Sequence, residues 1–120
     1  MNRMLTKDAE KLFSLLYGLY LENREAGESK VNAKNFGGPD LIQEKLLIDW
    51  SIADIEETCW ELTKAGLLKT NNTGNGIYLV FLTDQGIVYA ENRFKNGLKD
   101  VIQFLSAIGL RFPPIPLSGP

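Results

Sequence analysis

Residues 51–86, SIADIEETCWELTKAGLLKTNNTGNGIYLVFLTDQG, constrain the fold more than any other part of the chain. They read as a helix, a tight β-hairpin and the start of another helix in immediate succession. Ser51 is placed to cap the first of these helices, with Asp54 three residues on as a weaker partner in a capping box. Ile52, Ile55, Cys59 and Leu62 recur at helical spacing, and Gly66 stands where a helix end needs left-handed backbone. Apolar runs at 67–71 and 77–82 flank Thr73-Gly74-Asn75-Gly76, and an Asn-Gly step between apolar strands is a strong hairpin signal. Thr83 then caps the next helix, with Asp84 and Gln85 in its first turn.

Upstream, Thr6 caps a helix that runs to about Arg24, with Asp8 and Glu10 complementing its dipole. Ala9, Leu12, Phe13, Leu16, Leu19 and Tyr20 form its apolar stripe. Leu15, Tyr17 and Leu21 add apolar surface on other sides, so this helix is expected to pack against two elements, the second being a C-terminal helix or a partner subunit. Val31-Asn32-Ala33 reads as a short strand before Gly37-Gly38-Pro39 breaks the chain. Pro39 and Asp40 open a second helix carrying Leu41, Ile42, Lys45, Leu46 and Ile48, and Asp49-Trp50-Ser51 is the turn that follows. Downstream, Phe94, Leu98, Val101, Ile102, Leu105 and Ile108 continue a helical stripe toward Gly109, with Gly97 as a kink.

These elements amount to one domain over residues 1–110, followed at 111–120 by a proline-rich tail expected to be flexible. Polyproline geometry would let that tail dock on an aromatic groove, although such tracts are common at free ends. A net charge of −2 removes the simple argument for a nonspecific phosphate binder. One cysteine and no histidine leave too few ligands for a zinc cluster, no internal disulfide, and only carboxylates and lysines as catalytic bases. No cofactor and no enzymatic activity are therefore expected. No stretch approaches the length of a membrane span, and the charged N-terminus does not resemble a signal peptide, which makes a cytoplasmic location the expectation.

Leu62, Gly66, Leu67 and Leu68, followed by Leu82, Thr83 and Gly86, resemble the helix end, first wing strand and Leu-Thr-x-x-Gly exit of the winged-helix superfamily of small prokaryotic regulators. The resemblance spans roughly residues 5–92 and names no subfamily. It implies an α+β, mainly α fold: a winged helix-turn-helix with a two- to three-stranded antiparallel wing and an added C-terminal helix. It also implies a DNA-binding transcription regulator whose third helix enters the major groove of double-stranded DNA while the wing touches the backbone. Lys64, Lys69, Asn71, Asn72 and Asn75 are the candidate DNA contacts on those elements. The last helix resembles the dimerisation helices of such regulators, so Leu15, Leu98, Val101, Ile102, Leu105 and Ile108 are candidate homodimer residues.

The charge pattern opposes that function. Asp40, Glu44, Asp49, Asp54, Glu56, Glu57 and Glu61 face Lys45 alone between residues 40 and 61, a net of −6 in the segment that should meet DNA, against +4 elsewhere. With the stripe of the third helix turned inward, Asp54, Glu57, Glu61 and Lys64 point outward and Glu56 lies at the flank. A like-charge contact at 4 Å costs about 1 kcal/mol in water and about 4 kcal/mol at an effective dielectric of 20. Asp54, Glu57 and Glu61 are accordingly candidate protein-binding residues, on a face suited to a basic protein partner, or else a solvated surface. Lys30, Lys34, Arg93, Lys95 and Lys99 serve solubility or form a basic surface elsewhere. Trp50 and Trp60 bracket the third helix and are expected to pack on the first, and Cys59 is expected to be an inert buried thiol.

Overall fold

The computed structural model describes residues 4–112, so the tail beyond Phe112 lies outside the described residues. The chain is α+β and mainly helical. In order it forms α1 (Lys7–Glu25), α2 (Lys30–Ala33), β1 (Asn35–Gly37), α3 (Pro39–Leu46), α4 (Ile52–Lys64), β2 (Leu68–Thr73), β3 (Gly76–Leu82), α5 (Asp84–Arg93) and α6 (Leu98–Ala107). The three strands make one antiparallel sheet in the order β1-β3-β2.

Local chemistry sets the helix boundaries. The side chains of Thr6, Ser51 and Thr83 each accept a hydrogen bond from the backbone N–H three residues on, at 3.1, 3.1 and 2.8 Å, and so cap α1, α4 and α5. The ends of α1, α4 and α6 share one device. At α4, the Gly66 N–H donates to the Thr63 carbonyl and the Leu67 N–H to the Leu62 carbonyl, both at 3.0 Å, closing the last turn around a left-handed Gly66 (φ 84°). α3 ends differently, on Leu47 in left-handed conformation (φ 52°), so the helix expected through Ile48 stops at Leu46. A non-glycine residue there costs about 1–2 kcal/mol.

Three further readings need correction. Val31-Asn32-Ala33 is helical, because Ser29 caps it through the Asn32 N–H; the strand lies just beyond, where Asn35 and Gly37 pair with Phe81 and Val80 and Phe36 is buried. Gly97 is a break rather than a kink: at φ 67° it separates α5 from α6. The hairpin turns on Gly74-Asn75, one residue earlier than the Asn-Gly reading, with Thr73 paired to Gly76 and Gly76 taking the positive φ (112°).

α1 is the centre of the core and packs against α4, α5 and α6. Its second apolar side is thus covered by the chain's own last helix. Phe13, Leu16, Phe36, Ile55, Leu62 and Leu105 are fully enclosed, each worth roughly 1.5–3 kcal/mol of burial. The packed chain extends past the expected boundary at 110. Phe112 is buried with its ring over Gly18, where a β-carbon would sit 2.9 Å from the ring. No helix among the described residues is long and apolar enough to cross a membrane.

Candidate functional site at the α4 face

α4 buries Ile55, Thr58, Cys59 and Leu62. Ile52, expected in that stripe, is 46% exposed, because it is the first residue of the helix and precedes the turn that meets α1. Ile52, Ala53, Asp54, Glu57 and Lys64 are exposed, and Trp60 and Glu61 are half-buried. The buried Thr58 hydroxyl donates to the Asp54 carbonyl at 2.8 Å, so it needs no outside partner.

Glu61, expected to face outward, and Glu56, expected at the flank, are both held by the fold. Glu61 accepts the backbone N–H of Thr6 at 2.9 Å on one carboxylate oxygen and the Thr6 hydroxyl at 2.7 Å on the other. It therefore fixes the start of α1 from 55 positions away. Glu56 accepts the Ile77 N–H at 2.7 Å, which ties the first residues of β3 to α4. A β-carbon on Gly76 would collide with that carboxylate. Of the candidate protein-binding residues, Asp54 and Glu57 have no side-chain partner among the described residues, and Glu61 is structural. Both attachments join residues far apart in the chain, so no local spacing announces them.

Between α1 and α4 lies a groove of about 510 Å³. Asp8, Glu57, Trp60 and Lys64 line it, with Thr6 and Glu61 along its floor. Asp8, Glu57 and Lys64 are exposed, so two carboxylates and one ammonium stand around a half-buried indole. Cations and aromatic edges bind well at such places.

The candidate DNA contacts are spread over three elements. Lys64 belongs to this groove, whereas Lys69 and Asn71 lie on β2, Asn72 beside its bulge and Asn75 in the turn. The hairpin tip, residues 72–75, is exposed and carries no charge. Among the lysines placed elsewhere, Lys30 and Lys34 both pair with Asp84, at 3.9 and 3.4 Å. The candidate dimer residues divide as well. Leu15, Val101 and Leu105 are buried within the single chain, Leu98 is half-buried, and Ile102 and Ile108 keep surface, at 36% and 38% exposure. Trp50 and Trp60 are partly buried against the core.

Cys59 is enclosed, and burial, followed by the charge of Glu56, pushes its thiol up to about 12 from 9.0. The folded chain therefore keeps this proton at pH values where the unfolded chain has lost it. Stability from this group is intact below about pH 9 and falls as pH rises toward 12, by up to about 1.4 kcal/mol per unit. Urea midpoints measured between about pH 8 and pH 11 are expected to fall more steeply for the native chain than for Cys59→Ala. Equal slopes would mean the thiol is hydrated. Among the described residues, no group of carboxylate, histidine and cysteine side chains is placed to hold a metal ion.

Comparison with models of known protein families, with curated proteins and with solved structures finds no match.

Proposed function

We propose that the chain is a winged-helix regulatory protein that works through a protein partner, docking a basic segment on the acidic face of α4. The fold part rests on the order of elements from α1 to β3 and on a sheet with β3 between β1 and β2, which suit a winged helix with an added last helix. The observation that carries the functional part is the α1–α4 groove, where Asp8 and Glu57 flank Trp60 and Lys64 is the only base among the described residues. An arginine or lysine of a partner would pair with those carboxylates and lay its stem on the indole. Rim charges of this kind chiefly accelerate and orient encounter.

Duplex DNA is the rival ligand that the resemblance implies. Exposed Asp54 and Glu57 on α4 would meet phosphates, and Lys64 and Lys69 sit on different elements. The test is a pair of fluorescence-anisotropy titrations at low salt, one with a labelled arginine-rich peptide and one with a labelled random duplex. Saturable peptide binding that is lost in Asp8→Lys/Glu57→Lys, with no duplex binding, is the expected result. Glu61 is left untouched, since reversing it would also release α1. Duplex binding that falls steeply with salt and disappears in Lys64→Ala/Lys69→Ala would overturn the reading in favour of DNA.

A further inference from the structure

We propose that a second cleft, between the start of α1, the end of α5 and α6, binds a small organic anion: a monocarboxylate with an apolar body. The cleft encloses about 440 Å³, within the range of small-molecule sites. Its floor is apolar, made by Leu5, Phe104 and Ile108. Its polar lining is Lys7, Lys11, Arg93 and Glu10.

The charges in this lining do not balance. Glu10 is matched by Arg93, whose guanidinium lies 3.4 Å from the carboxylate. Lys7 and Lys11 have no carboxylate within 4.0 Å among the described residues. They stand one turn apart on the first turns of α1, where like charges repel and the helix dipole already places positive potential. Asp8 and Glu10 on the same turns offset the dipole, but among the described residues no carboxylate pairs with either ammonium group. A bound carboxylate would meet both of them together.

Arg93 is also prepared in advance. Its guanidinium lies over the Phe104 ring, 4.9 Å from the centroid, and 5.4 Å from that of Phe94, which restricts its orientation. The Phe104 ring that supports the cation belongs to the cleft floor. One surface thus presents cations beside an apolar wall, the arrangement an amphipathic anion requires and an amine does not. Binding here is independent of what α4 contacts, because none of the cleft residues lies on α4.

The experiment is an amide chemical-shift titration of the full chain with sodium octanoate, sodium benzoate and, as control, octylammonium. Saturable shifts with at least one carboxylate, centred on residues 5–11, 93 and 104–108, are expected, with none from octylammonium at the same concentration. Lys7→Glu/Lys11→Glu is expected to weaken carboxylate binding at least about tenfold. That variant should remain folded, because acids in the first turns suit the helix dipole, and its melting curve checks this. The proposal is overturned if neither carboxylate gives saturable shifts up to about 10 mM. It is equally overturned if octylammonium binds the same residues as well, or if the folded double variant keeps its affinity.

Discussion

Replacing Gly86 by alanine is expected to cost about 3 kcal/mol and to lower the thermal midpoint by about 15 °C, a large loss for one methyl group. Gly86 lies in the first turn of α5, and a β-carbon there would overlap the carbonyl oxygen of Leu67 and sit 3.1 Å from its carbonyl carbon and from a Leu82 methyl. The carbonyl has little freedom to retreat, since it accepts the Thr83 N–H at 3.2 Å. The neighbouring Thr83 hydroxyl donates to the Gly66 carbonyl at 2.7 Å and accepts from the Gly86 N–H. Helix end, strand start and helix start are joined at one point that has room only for hydrogen. Calorimetry of Gly86→Ala tests it: a midpoint within about 5 °C of the native chain would place α5 farther from β2.

Phe36→Ala is expected to lose about 4 kcal/mol, a large part of the 5–15 kcal/mol typical of a domain. β1 is three residues long and Phe36 is its fully buried member. Removing the ring opens a cavity under a strand too short to close it. Val31, by contrast, is 73% exposed on α2, and Val31→Ala is expected to be near neutral. Urea denaturation of the two variants ranks them. The reverse order would restore the strand to residues 31–33 and remove β1 from the core.

Features carried by adjacent residues were legible from the sequence. Thr6, Ser51 and Thr83 cap the helices expected of them, Gly66 ends α4, and Pro39 opens α3. The strand at β1 was misplaced because its burial comes from a single Phe36, while the neighbouring Val31 offers a β-branched side chain that the Ser29 cap turns into a helix. The break at Gly97 was hidden because the apolar stripe continues in register on both sides. The α4 face was only half legible. Its acidity is plain in the sequence, but the engagement of Glu56 by Ile77 and of Glu61 by Thr6 depends on which distant backbone donors the fold brings near. The α1–α5–α6 cleft escaped for the same reason: Lys7, Lys11 and Arg93 look like scattered surface charges until the helices are packed.

The seat of Phe112 on Gly18 bears on how the chain is made. The two residues lie about 90 positions apart, and Leu105 and Val101 cover the same helix from nearly as far. At about 5–20 residues per second, a ribosome needs several seconds between delivering the middle of α1 and delivering its cover. During that interval Leu15 has only the segment from Leu46 to Trp50 beside it, and Tyr17 only Tyr20 and then Phe94. The helix at the centre of the finished core thus waits, half covered, for the last part of the chain to be made.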